Sequence, residues 1–209
     1  VGLPDAARGH LEVAAERDPA NPEAFYYLGL VLKHLGDRRG ASLALLRARE
    51  ADAGLPAPPW SLSLQQFEQV LRNALARLPE NLSETVRDAL IVVVDLPGPE
   101  VVAEGVDPYA GALADGLLDG AGEPLLQPEV KPAKTTRLFV YQKNVERAAG
   151  GVLDLENELL RVLETELQAA FPHMKVPASA EAPAHGSPEP SREANSWPPD
   201  PESQPPDAN

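Results

Sequence analysis

The chain has 209 residues and no cysteine, and its 32 acidic side chains outnumber its 18 lysines and arginines, giving a formal net charge of −14. That charge would repel nucleic acids and acidic membrane surfaces, while the lack of cysteine excludes disulfide bonds, thiol catalysis and cysteine-ligated metals. No run approaches the roughly 18 apolar residues of a membrane span, and residues 1–10 lack the order of a signal peptide. We therefore expect a soluble, cytoplasmic protein that binds neither nucleic acid nor membrane.

The first predicted elements are helices in residues 1–53. Apolar and small side chains recur at helical spacing from Pro22 to Asp52, interrupted by a turn at residues 35–37. The members of this pattern are Phe25, Leu28, Gly29, Leu32, Gly36, Ala41, Leu45 and Ala48. Their order of large, small and large residues resembles one tetratricopeptide (TPR) repeat, a helical hairpin of about 34 residues. The resemblance implies that the paired helices approach closely at Gly29 and Ala41.

Half of a preceding repeat is predicted from Ala7, Leu11, Ala14 and the Asp18-Pro19 pair, which match a second helix and its closing proline. Such repeats bury their faces only against neighbours, so one and a half copies require further repeats upstream or packing on the rest of the chain. We expect further repeats upstream. The resemblance also implies a TPR-like groove for a protein or peptide partner, and the alternative is that the helices only brace the next domain.

A proline-rich linker at residues 54–62 is predicted to separate these helices from a second domain at residues 63–171. Ser63 can cap a helix with one apolar face that ends at residues 78–79. Residues 89–95 form a continuous run rich in β-branched side chains, which predicts a central strand covered on both faces.

The rest of this domain is predicted to contain one more clear strand and one long helix. Residues 98–134 are rich in glycine, proline and aspartate, and residues 107–116 within them are compatible with one short strand or turn. Alternating polar and apolar residues predict a strand at residues 135–142, and an amphipathic pattern predicts a helix at residues 152–171.

Five segments of the second domain together resemble the small bacterial zincin-like metallopeptidase family: FEQVLRNALARLP, IVVVDLP, DPYAGALADG, RLFVYQKNVER and ELLRVLETELQAAF. The resemblance covers residues 63–171 and implies a small α+β fold of one helix, a short sheet and a long final helix. In that family the final helix carries HExxH, in which two histidines four residues apart bind zinc and the glutamate polarises a water molecule.

The metal-binding motif is degenerate in this chain. Thr165 and Ala169 occupy the two histidine positions, so only the glutamate, Glu166, is retained. Lys175 stands where the family can supply an acidic third ligand, and Pro172 replaces the glycine that usually follows the motif. The resemblance therefore implies no catalytic residue, with Glu166 as a relic candidate, and we expect no metal and no other cofactor.

The histidines offer no replacement pair of ligands. They are His10, His34, His173 and His185, and no two of them have ligand spacing. His173 follows Glu166 by seven residues, which makes it the histidine that a non-standard zinc site would use.

Residues 172–209 are rich in proline, serine, glutamate and alanine, and this composition predicts an acidic, disordered tail. Its one bulky aromatic side chain, Trp197, lies in the segment SWPPDPESQPP. That segment is either a short motif read by a partner or part of a solvated tail, and we favour the solvated tail.

The sequence thus predicts an α+β protein with TPR-like hairpins, a zincin-like domain without its zinc ligands and a disordered tail. We expect it to act by protein–protein binding and not as an enzyme. The first alternative is an active zinc metallopeptidase with a non-standard site built from Glu166, His173 and a further ligand. The second is a scaffold in which the zincin-like half only caps the repeats. The sequence leaves the oligomeric state open.

Overall fold

Eight helices and three strands make up the α+β arrangement seen in the computed structural model, which describes residues 3–125 and 131–174. The predicted tail and Trp197 lie outside these residues, apart from the first three positions of the tail. The elements are α1 (Leu3–Arg17), α2 (Pro22–His34), α3 (Arg38–Ala53), α4 (Leu64–Ala76), α5 (Glu80–Val86), β1 (Leu90–Val94), α6 (Pro99–Ala103), β2 (Ala112–Leu118), β3 (Lys134–Tyr141), α7 (Gln142–Ala149) and α8 (Leu155–Ala170).

Local capping interactions set the ends of the N-terminal helices. Asn21 Oδ1 accepts a hydrogen bond of 2.9 Å from the Glu23 N–H at the start of α2, and Asp37 Oδ1 accepts one of 2.8 Å from the Gly40 N–H at the start of α3. Between them Gly36 has a φ of +81°, a left-handed conformation that favours glycine. The helical hairpin predicted for residues 22–52 is therefore confirmed, with its turn at Gly36.

The predicted close approach within this hairpin is also confirmed. A Cβ atom added to Gly29 would lie 2.7 Å from Leu45 of α3 and 3.4 Å from the carbonyl oxygen of Ala41. Ala41 is itself buried, and it packs in a small cluster with Leu32, Ala44 and Leu28. Small residues at this crossing let the two backbones lie close together.

A three-stranded sheet follows, in the order β1-β3-β2. β1 runs parallel to β3, and β2 runs antiparallel to it. The predicted strand at residues 135–142 is confirmed as β3, and it is the central strand. The irregular segment at residues 107–116 contains the start of β2, in agreement with one of the two predicted possibilities.

The prediction that the strand at residues 89–95 is central and covered on both faces is wrong. This strand, β1, lies at an edge of the sheet, and Leu90 is 63% exposed. Ile91 and Val93 face the core, whereas the side chains at the two ends of the strand are exposed. A β-branched run specifies a strand, but the position of that strand in the sheet depends on which other strands pair with it.

The main core lies between the sheet and three helices, α4, α5 and α8. Four leucines of α8 at intervals of four residues are fully buried, as the predicted amphipathic helix requires. They meet Phe67 and Leu71 of α4, the helix whose predicted cap at Ser63 forms a complete capping box with Gln66. The α8 leucines are Leu155, Leu159, Leu163 and Leu167.

The helices α1–α3 pack on the rest of the chain, an arrangement that the sequence allowed although further repeats upstream were favoured. Residues 3–174 all belong to one compact unit, and α3 contacts α6. Arg49 of α3 donates a 2.9 Å hydrogen bond to the carbonyl oxygen of Pro97. Residues 56–58 and 61–63 of the proline-rich connection have no helix or strand.

Three short helices, α5, α6 and α7, were not predicted. α7 has the greatest consequence, because it starts directly where β3 ends, at Gln142, and finishes at Gly150 with a φ of +68°. Across residues 3–125 and 131–174, no helix is long and apolar enough to cross a membrane.

Candidate functional site

The segment that the zincin resemblance aligns with HExxH lies on α8. The Thr165 hydroxyl donates a 2.7 Å hydrogen bond to the carbonyl oxygen of Arg161 one turn earlier, and both Thr165 and Ala169 are exposed. Glu166 differs from both because it is half-buried and faces the sheet. Its Oε1 accepts a 2.9 Å hydrogen bond from the backbone N–H of Ala114 in β2.

The contact between Glu166 and β2 satisfies a backbone donor of an edge strand. β2 pairs with β3 on one side, and the carboxylate of Glu166 takes the N–H of Ala114 that β3 does not use. Burial raises the pKa of Glu166 above its ordinary value of 4.5, and the bond from Ala114 opposes part of that rise. The structure thus gives Glu166 a bonding partner within the fold.

Replacing Glu166 with glutamine should change the pH dependence of stability. Because the pKa of Glu166 is raised on folding, its contribution to stability is present in full below pH 4.5 and is lost as the pH rises through the folded-state pKa. Glutamine keeps an acceptor for Ala114 but cannot ionise. The free energy of unfolding of Glu166→Gln relative to wild type should therefore rise as the pH increases above 4.5 in urea titrations.

The control for this experiment is Glu164→Gln, which removes one negative charge from the same helix. Glu166→Gln should show the larger upward trend with pH. A relative stability that falls as the pH rises would contradict the assigned direction of the Glu166 pKa.

The histidines are distributed over distant parts of the chain. His10 on α1 and His34 on α2 are exposed, and His173 is exposed in the turn after α8. His185 lies outside the described residues. Within the described ranges, no group of three or more histidine, aspartate and glutamate side chains is arranged to hold a metal ion.

A second group of chemically active side chains is more concentrated and lies on α7. Five polar residues of this helix point into the interior between the N-terminal helices and the sheet, and we call them the polar row: Gln142, Lys143, Asn144, Glu146 and Arg147. All except Arg147 are buried. Buried polar groups are costly unless they are bonded, so each member needs a partner.

Lys143 and Arg147 bond to the end of α3. The Lys143 ammonium donates hydrogen bonds of 2.7 Å each to the carbonyl oxygens of Asp52 and Leu55. Burial lowers the pKa of Lys143, and the nearby Arg147 lowers it further. Arg147 forms an ion pair with the carboxylate of Asp52, a residue that is 2% exposed. A cation at the C-terminal end of a helix interacts favourably with the helix dipole.

Asn144 bonds to a loop that precedes β2. Its amide nitrogen donates to the carbonyl oxygens of Pro108 and Ala110, at 2.9 and 2.7 Å. Tyr109 lies between these two residues, so Asn144 fixes the backbone on both sides of the tyrosine. The polar row therefore links α3, the loop at residues 107–110 and the sheet.

A cleft of about 480 Å³ opens above the polar row, between α2 and the loop before β2. Three tyrosines line it, and we call it the tyrosine cleft. The rings of Tyr26 and Tyr109 have centroids 4.6 Å apart, and Tyr27 lies edge-on to Tyr26 at 5.6 Å. The other lining residues are Pro22, Glu23, Asp52, Leu55, Asn144, Arg147 and Ala148.

The phenol groups of Tyr26 and Tyr109 remain neutral near pH 7. Burial raises the pKa of both Tyr26 and Tyr109 to about 12, and for Tyr26 the Asp107 carboxylate adds to the rise by accepting a 2.9 Å hydrogen bond from the hydroxyl. Tyr27 is 53% exposed at the mouth of the cleft. Neutral tyrosines provide large, rigid contact surfaces with polar tips, which suits the binding of another molecule.

Three buried polar atoms of the residues lining the cleft have no hydrogen-bond partner in the described part of the chain. They are Asp52 Oδ2, Asn144 Oδ1 and Arg147 Nη2. Two of them are acceptors and one is a donor, and all three have almost no exposed surface. The contact surface that the cleft offers to a ligand comes mainly from its three tyrosines.

Sequence reasoning did not identify the polar row or the tyrosine cleft. Residues 142–147 read QKNVER, and a strongly polar segment after a strand indicates a solvated turn. The available signal was Gly150, a C-terminal helix stop nine residues after the end of β3. This glycine predicts the helix but not the burial of the polar row, because the hydrogen-bond partners of the row come from segments distant in sequence.

Comparisons with known proteins give no further assignment. No protein-family model matches the chain, and no curated protein is significantly similar to it in sequence.

Proposed function

We propose that this protein is a cytoplasmic, non-hydrolytic binding protein that holds a peptide segment of a protein partner in the tyrosine cleft. The observation that carries the proposal is the cleft itself, which three tyrosines line together with Asn144 and Arg147. Aromatic side chains and arginine are the residue types enriched at binding hot spots.

In this proposal the helices α1–α3 are a TPR-like unit and the remainder is a zincin-like domain that has kept its fold without its zinc ligands. The hairpin has the close crossing at Gly29 that the TPR resemblance implies. The other half has a first helix, a short sheet and a long last helix in the order that the zincin resemblance implies. The cleft lies where these two halves meet, so each half contributes residues to it.

The residues at the motif positions support binding over hydrolysis. The Thr165 hydroxyl is bonded to its own helix, Ala169 has no donor atom, and Glu166 bonds to the edge of β2. A water-activating glutamate needs a metal-bound water beside it, held by two histidines on the same helix face. In α8 the positions of those histidines are taken by threonine and alanine.

Purified protein should contain less than about a tenth of an equivalent of zinc per chain after incubation in zinc-supplemented buffer, because a structured three-ligand site would be filled under these conditions. Elemental analysis of wild type, Glu166→Ala and His173→Ala measures the zinc bound per chain. One equivalent of zinc in wild type that is lost in Glu166→Ala would overturn the proposal and favour the metallopeptidase alternative.

Replacing Tyr27 with alanine should weaken partner binding by about tenfold or more, because it removes an aromatic contact from the cleft. The probe is a peptide selected from a random displayed library on the full chain, and its affinity is measured by calorimetry. Leu30→Ala is the matched control, since Leu30 is an exposed apolar residue of the same helix that does not line the cleft. Equal affinities for the Tyr27 and Leu30 variants would place the binding surface elsewhere.

A further inference from the structure

We infer that a second, smaller pocket on the other side of Leu55 is a binding site for a primary ammonium group. This pocket has a volume of about 190 Å³ and lies beside Glu146, where the connection between α3 and α4 passes over the start of α7. We call it the Glu146 pocket. Its lining residues are Ala53, Leu55, Ala57, Ser61, Asp95, Gln142, Lys143 and Glu146.

The topology of the sheet places this pocket at a favourable position. Asp95 follows directly on β1, and Gln142 follows directly on β3, so both lie at the carboxyl ends of the two parallel strands. The Lys143 N–H donates a 3.1 Å hydrogen bond to the Asp95 carbonyl oxygen and joins these two ends. In open sheets with parallel strands, ligands bind beyond the carboxyl ends of the strands.

Glu146 carries the argument because it is fully buried and only half satisfied. Its Oε1 accepts two hydrogen bonds of 2.9 Å, from the Leu62 N–H and from the Gln142 side-chain amide. Its Oε2 has no partner among the described residues, and no lysine or arginine side chain described in the structure forms an ion pair with it. A carboxylate in this position is costly unless a donor from outside the chain completes it.

The chemistry of the pocket selects an ammonium group over other ligands. Two acidic residues, Glu146 and Asp95, and Ser61 line it, and a primary ammonium has three N–H donors that oxygen acceptors of such residues can bind. The single cation of the lining, Lys143, is held by the carbonyl oxygens of Asp52 and Leu55. An ammonium beside the site opposes a divalent metal ion, whose higher charge it would repel more strongly.

The experiment uses the full chain and follows its melting temperature and its nuclear magnetic resonance spectrum during titration with small probes. n-Butylammonium and a capped tripeptide with one central lysine should both bind and shift the amide signals of residues 142–146, whereas n-butanol should not. Triglycine amide with a free N-terminus shows whether a peptide amino terminus is accepted as well as a lysine. Binding of guanidinium in preference to n-butylammonium would overturn the assignment to an ammonium group.

Glu146→Gln is the first variant, since glutamine retains the acceptor for Leu62 and loses the charge. It should raise the melting temperature in amine-free buffer and weaken n-butylammonium binding by about tenfold, because charge-assisted hydrogen bonds are the stronger ones. Asp95→Asn changes an exposed residue at the mouth of the pocket and should also weaken binding. Wild type that binds no probe, or Glu146→Gln with a lower melting temperature, would show that the carboxyl group is satisfied within the protein and would overturn the inference.

Discussion

Replacing Arg147 with alanine should lower the free energy of unfolding by about 3 kcal/mol, because it leaves the carboxylate of Asp52 buried without its cation. Asp52 is 2% exposed, and its ion pair with Arg147 joins α3 to α7. Breaking a buried pair by removing one partner costs more than the pair contributes, since the remaining charge stays desolvated. Urea unfolding followed by circular dichroism measures the loss.

The matched control is Arg161→Ala, which breaks an ion pair with Glu158 on the surface of α8. Because the Arg161 side chain is largely exposed, that loss should stay below about 1 kcal/mol. Adding Asp52→Asn to Arg147→Ala should restore part of the lost stability by removing the unpaired charge. Equal effects of the two arginine variants would show that the charge of Asp52 is not desolvated in the folded protein.

Replacing Phe67 with alanine should cost about 4 kcal/mol, the larger of the two effects, since it removes a fully buried ring from the centre of the core. Phe67 packs in the cluster that unites α4, α8 and the sheet, and a side chain there contributes transfer free energy and fills a space that would otherwise remain as a cavity. The same urea titration measures this change.

Phe67→Leu keeps an apolar side chain at this position and removes only part of the volume. It should therefore cost less, about 1 to 2 kcal/mol. Phe67 does not line the tyrosine cleft, so under conditions where the variants remain folded they should bind the selected peptide as wild type does. A loss of less than about 1 kcal/mol in Phe67→Ala would contradict the placement of this ring at the centre of the core.

Much of the helical architecture could be predicted because its signals are local. Asn21 before Pro22, Asp37 after a glycine turn and Ser63 before an amphipathic stretch all act within their own helix ends, and the structure shows each as a cap. The spacing of the α8 leucines predicted its buried face in the same way. These signals lie within short segments of the sequence, so no distant contact is needed to predict them.

The order of the strands could not be predicted because it depends on contacts between distant segments. The run at residues 89–95 has the composition of a central strand but lies at the edge, while the central strand β3 includes the exposed Arg137. β2 was hidden by Gly111 just before it and Gly116 within it. Gly111 is needed where a Cβ atom would meet Val162 at 2.7 Å, and Gly116 has a φ of +64°.

No residue of the tyrosine cleft was among the candidate site residues predicted from the sequence. The zincin resemblance singled out Glu166, which the structure brings against β2 as a half-buried carboxylate. The polar row was not predictable, because lysine, asparagine and glutamate are mostly exposed and their burial depends on partners elsewhere in the fold. Glu146 is buried because the Leu62 N–H, 84 residues earlier, donates to it.

The distances along the chain within the polar row also have a consequence for the order of folding. The carbonyl oxygen of Asp52 accepts a hydrogen bond from the ammonium of Lys143, which lies 91 residues later in the chain. During synthesis α1–α3 can form their local contacts early, but the end of α3 obtains its cation only after β3 has been made and α7 has docked. The part of the tyrosine cleft that α7 forms is therefore among the last parts of the molecule to form. A chain truncated before residue 142 would lack the hydrogen bond and the ion pair that α7 makes with Asp52 of α3.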